Sequence, residues 1–178
     1  MNKRFIIIIM KYGSLIVASS LVIAAQADIE RGLTDHFSSW LNDNQYGDFK
    51  FERTDLIGGA YGGKSSDSEN ITNQPVIFFH GNSDIAVGTT PWQTGWTTSI
   101  EYFIEQGYTK GELYATTWGP GDKDKTGDQT HNKDYLTYLR AFTEAVLDYT
   151  GADNVDIISH SMGVTLGRKV LKGGRVAG

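Results

Sequence analysis

Cysteine is absent from this 178-residue chain. Thiol chemistry and disulfide staples are therefore excluded, and the fold must be held by its hydrophobic core. Positive charge is also scarce: 16 Lys and Arg face 21 Asp and Glu, for a net charge of −5. With no basic cluster in the body of the chain, binding to nucleic acid is disfavoured. What is present is ordinary for a globular domain. Hydrophobic residues make up 39% and aromatics 12%, enough for a real core and too much for wholesale disorder. The length suits one domain, and no internal repeat is visible.

Residues 1–27 read as a secretory signal peptide rather than as part of that domain. Lys3 and Arg4 precede the apolar run FIIIIM, Lys11 precedes LIVASSLVIAA, and Ala25-Gln26-Ala27 offers a small-residue cleavage site. Met10 begins a complete signal peptide by itself, which marks it as an alternative start. The competing reading is an N-terminal membrane anchor. Lys11 splits the apolar run below spanning length, so no stable membrane span is expected. Cleavage would leave residues 28–178 as a secreted, extracellular domain. Loss of Lys3, Arg4 and Lys11 would take its net charge from −5 to −8, opposing attraction to anionic membranes. In that setting Asn70, in Asn-Ile-Thr, is a candidate glycosylation acceptor.

Hydrophobic periodicity organises the rest. Ile29, Leu33, Phe37, Trp40 and Leu41 recur at helical spacing and predict a short helix. The stretch LIGGAYGGKSSDSENITNQ, rich in Gly, Ser and Asn, reads as an irregular connection. Val76 to Phe79 is a continuous apolar run entered by a proline, as in a strand buried on both faces. A helix with Trp96, Ile100, Phe103 and Ile104 on one face follows and closes at Gly107. ELYATTW is a second strand. The clearest helix carries Tyr135, Leu139, Phe142 and Val146 on one stripe, with Gly151 at its end. VDIIS is a third buried strand, and MGVTLGRKVLKGG a helix with a glycine stop. Strand and helix alternate, which predicts an α/β fold with parallel pairing and right-handed crossovers.

In such a sheet, ligands meet the loops beyond the carboxyl ends of the strands. Two loops stand out. In Ser159-His160-Ser161-Met162-Gly163, Ser161 sits where a nucleophile elbow keeps its serine, with small residues two before and two after. Ser159 replaces the usual first glycine but is still small. The plainer alternative is an ordinary strand-to-helix turn with a serine N-cap. The second loop, His80-Gly81-Asn82-Ser83-Asp84, follows the VIFF strand. Acyl transfer needs two backbone N–H groups aimed at the developing oxyanion; Met162 and Asn82 are the candidates.

PVIFFHGN together with VDIISHSMG resembles the secreted class 2 lipases of the α/β-hydrolase superfamily, among them compact bacterial lipases and related esterases. GWTTSIEYFIEQGY, ELYATTWG and SHSMGVTLGRKVLKGG are similar to the nematode lipase-related group. The resemblance covers Asp35 to Gly174 and implies Ser161 as nucleophile, Asn82 and Met162 as the oxyanion hole, and acylglycerols or related lipid esters as substrates. It implies no metal or cofactor. The implied fold is the N-terminal part of an α/β hydrolase, a mostly parallel sheet with flanking helices, ending just after the elbow helix. His80 and His160 are expected to serve the turns rather than act as base, and no family pattern makes His36 or His131 one.

Two further strings resemble known motifs without fitting them. Gly58 to Ser65 spells a Walker A motif, but FKFERTDL before it is too charged for a buried strand and SDSENITNQP after it is a poor helix. Asp122 to Lys133 opens like an EF-hand loop but ends on Lys133 where a glutamate belongs. Finally, α/β hydrolases place their triad in the order Ser, Asp or Glu, His. Residues 162–178 contain no Asp, Glu or His. The expectation is a fragment or truncated product, with VDIIS as an open hydrophobic edge. The alternative is a non-catalytic secreted remnant that binds lipid or a partner.

Overall fold

The structure, a computed structural model, describes residues 29–173. The signal-peptide reading of residues 1–27, with its alternative start at Met10, lies outside the described residues.

The fold is α/β, a mostly parallel mixed sheet with helices on both faces. Strand β3 (Val76–Phe79) sits inside it, paired in parallel with β6 (Leu113–Thr116) on one side and β7 (Asp156–Ser159) on the other. Beyond β6 the sheet continues with β2 (Ala60–Gly62), antiparallel, and then β1 (Gly32–Leu33). The order is β1-β2-β6-β3-β7. Every residue of β3 and β6 is buried, as a continuous apolar run requires.

Alternation along β3 divides the core. Ile77 and Phe79 face a cluster built from Phe37 and Leu41 of α1 (Asp35–Asp43), Leu139, Phe142 and Val146 of α3 (Lys133–Thr150), and Leu166 and Val170 of α4 (Met162–Lys172). Val76 and Phe78 face the other cluster, with Ile100 of α2 (Thr97–Glu105). The predicted stripe of α3 is therefore the packed one. Asn132 caps its start by accepting from the Tyr135 N–H at 2.9 Å, and Gly151 ends it at φ +67°.

Four features of the structure depart from the pattern along the chain. The helix predicted from Ile29 begins only at Asp35: Thr34 accepts from the Phe37 N–H, while Leu33 pairs in β1 and donates to Glu52. A side-chain cap outbids the apolar spacing there. The connection expected to be irregular contains β2, whose Ala60, Tyr61 and Gly62 are all buried against β6. Ile104 is not on the packed face of α2; it is 40% exposed. A hairpin, β4 (Val87–Thr90) with β5 (Gln93–Gly95), went unread. As for VDIIS, β7 lies at an edge of the described sheet, and Ile157 and Ile158 are only partly buried. Among the described residues no helix is long and apolar enough to cross a membrane.

Candidate active site

Two loops leave adjacent strands at the same end of the sheet, because β3 and β7 run in parallel with Phe79 opposite Ser159. The His160 N–H donates to the Phe79 carbonyl at 3.1 Å, closing the pair just before the two chains diverge. The chain then turns into α4 at Ser161, whose backbone has φ +51° and ψ −125°. A side chain is rarely held at such angles, and the cost is typically about 1–3 kcal/mol. Ser161 is exposed, and its side chain makes no capping hydrogen bond. Ser161 does stand at the N-cap position of α4, but without the side-chain bond or the extended backbone of an ordinary serine cap.

The turn is this sharp because α4 lies directly on β3. A β-carbon at Gly163 would stand 2.4 Å from the His80 carbonyl oxygen and 2.5 Å from that of Phe79. Gly167, one turn later, leaves room for the Ser159 hydroxyl, which would sit 3.0 Å from a β-carbon there. This is why a serine is accommodated where the elbow pattern has its first glycine.

The loop after β3 touches the elbow at Gly81, where a β-carbon would lie 3.2 Å from Ser161 Cβ and 3.0 Å from His160 Nδ1. The next residue is Asn82. Its side chain is engaged elsewhere, donating to the Thr126 carbonyl at 3.0 Å and accepting from the Ser83 hydroxyl at 3.0 Å. Among the described residues, no backbone hydrogen bond occupies the N–H of Asn82 or of Met162. Both are thus available as donors, and the Met162 N–H lies at the positive end of α4.

His80 is buried and acts as a clamp. Its Nε2 accepts from the Trp118 N–H at 3.1 Å, so the ring proton resides on Nδ1 and is donated to the Gly81 carbonyl at 2.7 Å. The Trp118 indole donates back to the His80 carbonyl at 3.0 Å, and the two rings stack 5.1 Å apart at 3°. Burial pushes the imidazole pKa down to about 4, and the Arg53 charge adds to the effect. His80 is therefore a neutral structural group.

The other histidines are also placed. His36 Nδ1 accepts from the Tyr149 hydroxyl at 2.6 Å and its Nε2 donates to Asp67 at 3.0 Å. His131 Nε2 donates to the Thr165 hydroxyl, which donates to the Met162 carbonyl. His160 is exposed beside Gly81. None of the four hydrogen-bonds to Ser161 among the described residues.

The remaining motifs fall into place. β2 runs through the middle of Gly58 to Ser65, and the next α-helix starts only at Thr97, so the string is no phosphate loop. The Lys64 ammonium instead lies over the Tyr149 ring. Asp122 to Lys133 holds a 3₁₀ turn over Lys123–Asp128, and no group of His, Asp or Glu among the described residues is arranged to hold a metal. Asn70 is exposed in a loop.

Sequence reasoning missed the braces behind the Asn82 loop. Gln93 Nε2 donates to the carbonyls of Ser83 (2.9 Å) and Gly121 (2.8 Å). Arg53 donates to those of Thr117 and Gly119. Trp118 was findable, since it closes the predicted strand ELYATTW at its carboxyl end; Gln93 and Arg53 carried no local signal. A cavity of about 620 Å³ opens beside Arg53, Pro120, Tyr135 and Tyr138, and Ser161 does not line it.

Residues 73–178, which include both loops, match the family described as Lipase (class 2).

Proposed function

The chain belongs to the class 2 lipase family, and from that premise we propose that Ser161 is the nucleophile of a lipase-type ester hydrolysis. The substrates are acylglycerols or related lipid esters. The observation that carries the proposal is the strained backbone of Ser161, which presents an uncapped hydroxyl between strand and helix.

In the reaction Ser161 Oγ attacks the ester carbonyl carbon. Negative charge on the carbonyl oxygen is received by the N–H groups of Asn82 and Met162. The bond to the ester oxygen then breaks, the proton given up by Ser161 passes to the departing alcohol, and water hydrolyses the acyl-enzyme to the free acid and Ser161. We further propose that the protein is secreted, on the strength of the signal-peptide pattern in residues 1–27, with Asn70 available for glycosylation. The finer kinship with nematode lipase-related proteins rests on the resemblance of GWTTSIEYFIEQGY and ELYATTWG.

One observation favours a second reading, a non-catalytic remnant that binds lipid or a partner. No histidine among the described residues reaches Ser161, and a serine without its base is a weak nucleophile. A fluorophosphonate probe with peptide mapping tests both. Label is expected on Ser161, abolished by Ser161→Ala, and in the 178-residue chain it accumulates slowly and below stoichiometry. Label on a different serine overturns the assignment of the nucleophile. Rapid, complete labelling of Ser161 overturns the second reading, because a base must then reach it.

A further inference from the structure

The hairpin of β4 and β5 ends in Pro91-Trp92, and Trp92 is 86% exposed. The chain's other three tryptophans, Trp40, Trp96 and Trp118, are at least partly buried. A lone exposed apolar residue is unremarkable on a protein surface. Here, however, it lies in the longest neutral setting of the domain. From Ile85 to Ile100 no residue is charged, in a chain where 21% of residues are.

The hairpin is also tied to the candidate site. Gln93, the neighbour of Trp92, holds the Ser83 carbonyl, and the Gly95 N–H donates to Asp84 Oδ1 at 3.2 Å. Both acceptors belong to the loop that carries Asn82. At the hairpin's base the Val87 N–H donates to the Gly58 carbonyl, beside Ile57, which is 79% exposed.

From these features we infer that the Pro91-Trp92 tip seats the protein on an uncharged or zwitterionic lipid–water interface, beside the loop that would receive the ester. This rests on the lipid-ester reading above. An indole is suited to such a boundary, since its apolar body leaves water while its N–H stays hydrated. No charged group has to be desolvated as the tip enters. A two-stranded ribbon has open backbone groups, so the tip stops at headgroup depth, where those groups keep their water. The net charge of −5 gives no attraction to an anionic surface, which sets the preference for neutral lipid.

The test uses the full chain, Trp92→Ser and Trp92→Phe with vesicles of phosphatidylcholine, read by co-sedimentation and tryptophan emission. Trp92→Ser is expected to lower the partition coefficient roughly tenfold, in line with re-exposing one apolar side chain, and Trp92→Phe to restore part of it. The full chain's emission shifts to the blue on vesicles, and the shift is lost in both variants. Thermal midpoints of the variants stay together, because the side chain touches little. Equal partitioning of the full chain and Trp92→Ser, as when the apolar N-terminal run alone does the binding, overturns the inference. So does preference for phosphatidylserine-bearing vesicles, or a Trp92-dependent dimer with no vesicle binding. Since binding is read without turnover, failure to hydrolyse any ester would sink the proposed reaction and leave this measurement standing.

Discussion

Replacing Gly163 with alanine puts a methyl group into a space the backbone already fills. The new carbon would lie 2.4 Å from the His80 oxygen, 2.5 Å from the Phe79 oxygen and 3.0 Å from the Phe79 carbonyl carbon. Even close C···O contacts keep about 3.3–3.6 Å, so α4 must retreat from β3 by nearly 1 Å. No side chain can rotate out of the way. Overpacking of this kind costs about 1–3 kcal/mol, and rigid carbonyls point to the upper end. Against that, Gly163 is helical, and alanine is favoured there by about 1 kcal/mol. Steric overlap wins, leaving a net loss of about 2 kcal/mol. For a domain of this size that lowers the thermal midpoint by about 4–8 °C, read by circular dichroism. Gly127→Ala is the matched control. A β-carbon there meets nothing within 4 Å, and φ is not positive, so the midpoint stays level or rises. The same retreat moves the Met162 N–H away from Asn82, so fluorophosphonate labelling of Ser161 slows further. If Gly163→Ala melts no lower than Gly127→Ala, the close seating of α4 on β3 is refuted.

Two further predictions follow from the same end of the sheet. Ser161→Gly relieves the positive φ and is expected to stabilise the fold by about 1 kcal/mol while abolishing labelling, since glycine adopts that backbone freely; a lower midpoint in thermal melts would contradict it. His80 is held neutral in the fold, with its pKa down at about 4 from an ordinary 6.5. The unfolded chain takes up a proton first, so the stability tied to His80 is full above about pH 6.5 and is lost as pH falls towards 4. The loss across that window is on the order of 3 kcal/mol. His80→Gln should flatten that limb of the denaturant-measured pH profile, and parallel profiles for the two proteins would refute the buried neutral ring.

Much of the architecture was legible along the chain. The run from Val76 to Phe79 is apolar at every position, and a strand buried on both faces has that pattern. The α3 stripe was readable because eighteen residues repeat one period between an asparagine cap and a glycine stop. The beginning of the domain departs from its periodicity because a capping hydroxyl and a two-residue strand weigh more there than five apolar positions at helical spacing. β2 was missed because three residues flanked by glycine carry no period, and its place in the sheet is decided by β6, more than fifty residues away.

The candidate site divides in the same way. By itself, the sequence determined the residue types that an elbow and a facing loop require: Ser161 between small neighbours, Asn82 after His80-Gly81, and a helix starting at Met162. It also determined the family to which residues 73–178 belong. Only the tertiary structure decided that β3 and β7 are neighbours, which brings Gly81 against Ser161, and that Ser161 is held at positive φ. It alone showed His80 locked to Trp118 and Gln93 bracing the Ser83 carbonyl. Propensity and period report on a few residues at a time. Strand order, close approach of backbones and the partner of a buried imidazole are contacts between distant segments, and they exist only once the whole core has packed.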